Sequence, residues 1–284
     1  VSAVGLPAAR RTTLGFERLR LLLRSPAFLV GLGIILFWVS CALFGRLLVD
    51  PLADDILNSL APPSAEHWFG TDELGRDMFA RVIAGSRDIL VVAPLATLLG
   101  IALGTALGLV MGFFPGWVDD VLSRIVEAVL ALPLLILALL ALTALGASNA
   151  TVVAAIGLSF MPIVARTVRA AVMTERNLDY VAAARLRGES ALHLMGFEIL
   201  PNILPPIVVE LTVRLGYAIF TVATLSFLGV GLQPPSPDWG LAISENYALI
   251  GGGYWWTVLF DALAIASLVI AVNLVADGLA EVAE

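Results

Sequence analysis

The sequence predicts an all-α integral membrane protein with six transmembrane helices, and three observations carry that prediction. Of 284 residues, 60% are hydrophobic and only 14% are charged, with a mean hydropathy of +0.97, whereas soluble domains carry about 25% charged residues. Six apolar runs reach the roughly 20 residues that a helix needs to cross a bilayer: 27–49, 89–114, 121–145, 151–172, 203–231 and 255–276. The third observation is charge asymmetry. All 16 basic residues are arginines, and they cluster on alternate sides of the runs.

The first run follows a tail holding Arg10, Arg11, Arg18, Arg20 and Arg24, and it is too long for the apolar region of a signal peptide. Its one cysteine, Cys41, cannot form an internal disulfide and reads as a small buried side chain. Between runs one and two, Asp50, Asp54, Asp55, Glu66, Asp72, Glu73, Asp77 and Asp88 outnumber Arg46, Arg76, Arg81 and Arg87. Asp72 with Arg76, and Asp77 with Arg81, stand four residues apart, which predicts a surface helix laced with ion pairs and capped by Thr71 or Asp72. Pro115-Gly116 turns the chain between runs two and three, and Trp117 suits the membrane interface. Runs three and four are separated only by "GASNA", 146–150. Pro133 and Pro162 predict kinks.

The arginine-rich sides are expected to be cytoplasmic: the amino-terminal tail, the turn beside Arg124, and the fourth loop with Arg166, Arg169, Arg176, Arg185 and Arg187. Both termini then face the cytoplasm and 50–88 lies outside. The chain divides into a cytoplasmic tail (1–26), the first span with the extracytoplasmic segment (27–88), a five-helix core (89–278) that includes the loop 173–202, and a short cytoplasmic tail (279–284).

That fourth loop holds a polar island, "YVAAARLRGESALHLMGFEILPNILP", 180–205. Leu178, Val181, Ala182 and Arg185 fit a short helix, with the arginines suited to the negative end of its dipole. Gly188 permits the left-handed conformation that ends helices. Ser190 can cap a second helix bearing Leu192, Met195, Phe197 and Ile199 or Leu200, which Pro201 and Pro205 are expected to break before the fifth span. Two short helices bent around a glycine make a compact knob. The plainer alternative is a solvated loop joining two spans.

Ala183-Ala184, Gly188 and Leu200-Pro201 resemble the loop of ABC-importer permeases that docks into a groove on a cytoplasmic ATPase. "HWFGTDELGRDMFARVIAGSR", 67–87, is similar to the extracytoplasmic signature of the dipeptide and oligopeptide permease subunits, a family whose members also include nickel transporters. "LSFLGVGLQPPSPDWGLAISE", 225–245, and "NLVADGL", 273–279, resemble that subfamily's later segments. The resemblance implies the type I ABC-importer permease fold, with cytoplasmic coupling helices between spans four and five, and di- or oligopeptide import by alternating access in a prokaryotic inner membrane. A nickel complex is the alternative cargo. It implies Ala182, Ala183, Ala184, Arg185, Gly188, Glu189 and Pro201 at the ATPase contact, and Phe69, Gly70, Thr71, Asp72, Gly75, Arg76 and Asp77 where a substrate-binding protein docks. Where that family usually carries glutamate stands Ala182, so either Glu189 supplies the charge or docking rests on shape. The implied partners are a second, related permease chain, two ATPase subunits carrying ATP and Mg, the binding protein, lipid and the peptide.

A chain without lysine has no phosphate-binding loop of the kind that hydrolyses nucleotides, so it reads as a non-catalytic subunit without a cofactor. His67 and His193 fall on opposite sides of the membrane, which leaves no histidine or cysteine metal site, and no nucleophile–base arrangement stands out. Within the spans, Glu210 and Arg214 lie at i, i+4 and either neutralise each other or line a translocation path, while Asp261 has no partner near it in sequence and is the stronger candidate for that path. A channel or ion-driven transporter working without ATPases is the reading from another class. It predicts midplane ion ligands and inverted repeats, and neither is evident.

Overall fold

The computed structural model describes residues 22–283; Arg10, Arg11, Arg18 and Arg20 of the arginine-rich tail lie outside the described residues. Every regular element is helical among them: α1 (Pro26–Leu48), α2 (Met78–Phe113), α3 (Trp117–Leu130), α4 (Leu134–Leu145), α5 (Asn149–Glu175), α6 (Asp179–Leu186), α7 (Leu204–Phe227), α8 (Trp239–Asn246) and α9 (Trp256–Ala283). Five helices are long and apolar enough to cross a membrane, and α3 with α4 form a sixth, broken span bent by 87°. Pro133 explains the break. It stands at the start of α4 with φ −58° and ψ 133°, an extended turn that no helix continues through. Pro162, in contrast, sits inside an unbroken α5.

The centre of the fold is the contact between α2 and α5. Gly100, Gly104, Gly108 and Gly112 recur every four residues along one face of α2. Cβ atoms built on them would lie 2.9, 2.8, 2.7 and 2.9 Å from the carbonyl oxygens of Gly157, Met161, Ala165 and Arg169 on α5. Small residues at this spacing let two helix backbones meet directly, as in tight membrane helix pairs. Both rows ascend together, so α2 and α5 run parallel. The intervening chain must therefore return across the bundle, which makes the bent α3–α4 pair a crossing and gives six.

Arginines clamp one end of this pair. Arg169 forks onto Asp119 of α3 (Nε to Oδ1 2.5 Å, Nη2 to Oδ2 2.6 Å), and Arg176 Nη1 donates to Gly112 O at 2.7 Å. Around the seam lies a core in which Ile89, Val92, Ala96, Ile156, Phe160, Ile219 and Leu268 are buried, drawn from α2, α5, α7 and α9. Outward-facing side chains such as Leu36, Phe37, Leu140 and Phe220 remain exposed, as expected for helices whose outer solvent is hydrocarbon.

Pro201 and Pro205 do not break the chain as the sequence leads one to expect; one helical run extends over Ala191–Phe227. It accommodates them by changing its winding, widening over Leu194–Ile199 and tightening to a 3-10 turn over Leu200–Ile203. Asn202 Nδ2 donates to Glu198 O at 2.7 Å, replacing a backbone donor in the disturbed stretch.

Candidate functional site

The knob is pinned from within by buried apolar anchors. Val181 and Ala184 of α6, with Leu194, Met195, Ile199 and Ile203 beyond it, close over Phe113 of α2 and Val164, Val168 and Val172 of α5. Helix α6 ends in a paired cap: the N–H of Gly188 bonds Arg185 O at 3.0 Å and that of Glu189 bonds Ala184 O at 3.3 Å. This cap demands a left-handed residue, and Gly188 has φ +83°. Ser190 then caps the second helix by accepting from His193 N–H at 3.3 Å, as its position predicted.

With those anchors inside, the outer face is apolar and bare. Leu186 is 90% exposed, Leu192 79% and Phe197 74%, and Ala182 and Ala183 lie open beside them. Arg185 lies over the Phe113 ring at 5.3 Å. Glu189 is held within the knob, 3.6 Å from both Arg187 and His193, and Arg187 Nη2 also donates to Glu198 at 3.0 Å. Pro201 is exposed at the knob's far edge. Tyr180 fastens the knob to its stem by donating to Glu175 Oε2 at 2.7 Å and accepting from Asn202 Nδ2 at 3.3 Å. Burial first, and then the Glu175 carboxylate, push its phenol up to about 12.

At the opposite end, the 67–77 segment departs from the expected surface helix. Residues 71–77 form a turn closed by a Thr71–Asp77 bridge, and the helix cap is Asp77, accepting from Ala80 N–H at 2.9 Å. Its other oxygen meets His67 Nδ1 at 2.8 Å, not Arg81. Asp72 is fully buried. Its Oδ1 accepts the backbone N–H groups of Leu74 and Arg76, both at 2.9 Å, and its Oδ2 takes Arg76 Nε at 2.7 Å and Arg81 Nη1 at 3.2 Å. Both arginines reach on to Glu245 Oε2 of α8, at 3.2 and 2.9 Å. Local spacing found Asp72–Arg76 but not its partner some 170 residues away.

Gly70, Thr71 and Gly75 are likewise buried and Phe69 partly so, stacked on Phe260 at 3.9 Å between ring centres. Trp256 Nε1 donates to Thr71 O at 3.1 Å and Trp239 Nε1 to Val82 O at 2.8 Å. The segment is a latch that ties α2, α8 and α9 together. It leaves Trp68, Glu73 and Leu74 facing outward.

Inside the bundle, Glu210 and Arg214 pair at 2.9 Å, with Thr167 Oγ1 donating to Glu210 at 2.7 Å and the Arg214 guanidinium 5.4 Å from the Tyr217 ring centre. Mutual neutralisation is what the geometry displays. Asp261 is fully enclosed, so it borders no open path in this conformation.

Residues 104–284 match the family of binding-protein-dependent transport system inner membrane components. The chain belongs to this family. The match begins within the glycine seam of this permease and takes in the knob and the last three long helices, while relatives extend the likeness to the latch. A putative peptide transport system permease protein of Brucella suis is 37% identical over 271 residues, covering 93% of this chain and 89% of its own length. A dipeptide transport system permease protein of Alkalihalophilus pseudofirmus is 37% identical over 265 residues, covering 93% and 87%. A di/tripeptide transport system permease protein of Pseudomonas aeruginosa is 39% identical over 257 residues, covering 88% and 84%. The permease is thus a multi-pass membrane protein of the type I ABC-importer fold.

Sequence reasoning missed Glu245, the Asp119–Arg169 fork, the role of Tyr180 and the glycine seam. Only the last had a local signal, the four-residue spacing of Gly100 to Gly112.

Proposed function

We propose that this chain is the membrane-crossing subunit of an ATP-driven importer of short peptides, which takes its cargo from a binding protein outside and is driven by separate ATPases inside. The observation that carries this reading is the knob. Leu186, Leu192 and Phe197 stand almost bare on a water-facing element whose backbone is pinned from within, and monomeric soluble surfaces rarely leave such apolar clusters uncovered. A hydrophobic projection with closed internal ion pairs fits a groove by shape, and the groove belongs to an ATPase subunit. Both termini and the knob face the cytoplasm on this reading, following the arginine distribution. One knob engages one ATPase, so a second, related permease chain completes the assembly, and a peptide cargo accords with the named roles of the relatives.

The test is reconstitution with the co-expressed ATPases, second permease and binding protein. Gly188→Val forces a β-branched residue into φ +83°, a strain of about 1–3 kcal/mol. Nothing lies within 4 Å of the added Cβ, so only the turn is disturbed. Membrane insertion should persist while ATPase recovery or peptide-stimulated hydrolysis falls. A variant that assembles, hydrolyses and imports like the parent would reduce the knob to a connecting loop.

A further inference from the structure

The latch encloses a group that none of its bonds uses. Asp261, in the second turn of α9, has no exposed surface, and neither carboxylate oxygen has a hydrogen-bond partner. The charged groups acting on it from the elements packed around it are Arg81 of α2, Asp72 of the 71–77 turn, and Asp238 and Glu245 of α8 and its cap. Arg81 is the one cation among these, and its two terminal nitrogens are already given to Asp72 and Glu245; Arg76 is committed to the same two acids. Arg81 Nε is buried without a partner.

Arg76 and Arg81 are thus taken up by Asp72 and Glu245, and Asp238 and Asp261 add two further acids to the site. Pairing Arg81 Nε with Asp261 would leave that imbalance unchanged. An ionised carboxylate in a dry site with no hydrogen bond is so costly that such groups neutralise instead. A metal ion is a poor answer, because among the described residues no three His, Cys, Asp or Glu side chains gather closely enough to hold one. Glu245 is partly exposed and Asp72 accepts four hydrogen bonds, so both have what an ionised carboxylate needs. Asp261 has none of it.

We propose that Asp261 is a proton-binding site that reduces the latch's excess of negative charge, its carboxyl held as the neutral acid at neutral pH between Arg81, Asp72, Asp238 and Glu245. One proton leaves Asp261 when the site ionises, and the resulting carboxylate repels Asp72 and Glu245, loosening the tie between the 71–77 turn and α8.

The test uses the full-length protein in nanodiscs. Infrared spectra at neutral pH should contain the carbonyl stretch of a protonated carboxylic acid that Asp261→Asn removes and Asp238→Asn leaves in place. A proton held by the fold and released by the unfolded chain stabilises at low pH, and that stability is lost as pH rises through the folded value. The parent's thermal midpoint should thus decline as pH rises above the ordinary carboxylate range of about 4, while Asp261→Asn, with an uncharged amide of the same shape, should decline less. No acid band in the parent, or a band untouched in folded Asp261→Asn, overturns the proposal. If Asp261→Asn does not fold, the band must still persist in Asp238→Asn, and its loss there assigns the proton to Asp238 and overturns the proposal equally.

Discussion

Gly104→Ala adds one methyl group at the middle of the α2–α5 seam, where a Cβ would lie 2.6 Å from Val164 Cβ and 2.8 Å from Met161 O. Carbon atoms in contact prefer about 3.5–4.0 Å, so the helices must part locally by about 1 Å. Neither neighbour can step aside, because one is a backbone carbonyl and the other the branch point of a fully buried valine. Rigid helices transmit the separation along the row, so contacts at Gly100 and Gly108 loosen as well, and a gap of 0.5–1 Å forfeits about a quarter to a half of each dispersion well. Over about 30 atom pairs of ~0.15 kcal/mol, the loss is about 1–2 kcal/mol, within the ~1–3 kcal/mol typical of overpacking. The assay is unfolding in a reversible mixed-detergent titration, with Gly33→Ala as the control. Gly33 lies inside α1 with nothing within 4 Å of an added Cβ, so its replacement should be neutral or stabilising by up to about 1 kcal/mol through helix propensity. Equal stability of Gly104→Ala and the parent would refute the reasoning that the backbones meet along this seam.

Other expectations follow from the latch and the knob. Arg81→Met leaves Asp72 and Glu245 with Arg76 as their one shared cation and, because Asp72 is buried, should destabilise by about 3 kcal/mol, read as a lowered midpoint in the same titration. Leu192→Asp should leave that midpoint within about 0.5 kcal/mol, as surface substitutions do, yet abolish co-purification of the ATPases. Burial raises the Asp238 carboxyl to about 6 from its usual 3.8, against bonds from Leu241 N–H and Ser226 that lower it. A carboxyl raised in this way contributes stability that is present at low pH and lost as pH climbs through about 4 to 6, a fall of roughly 2–3 kcal/mol that Asp238→Asn should remove from a pH series of unfolding midpoints.

How much was readable in advance depended on the range of each interaction. Bilayer thickness fixes span length, so all six crossings were visible, although α2 begins eleven residues before the apolar run at 89 because Asp77 caps it there. Turn chemistry is equally local, and Gly188 and Ser190 took the conformations their residue types favour. The latch was misread because two of its acids sit four residues before arginines. The Asp72–Arg76 pair forms in a turn instead of a helix, Asp77 turns to His67, and the partner that both arginines share, Glu245, is remote in sequence. Pro201 and Pro205 misled for a related reason. A proline forbids one hydrogen bond, but the widened and tightened turns around it are stabilised by packing of Ile199 and Ile203 against α5, which local sequence does not encode.

The knob and the glycine seam share a foundation: Val172 fills the groove at Gly112 and also lies in the apolar cluster beneath Val181 and Ala184. A load applied at Leu186 or Leu192 therefore passes into a stiff column, two helices in backbone contact, with little compliant material between. Such a column tilts or translates as a unit and stores little of the work done on it. Compliance is left to the limb hinged at Pro133, where the chain bends by 87° and α4 carries exposed leucines along most of its length.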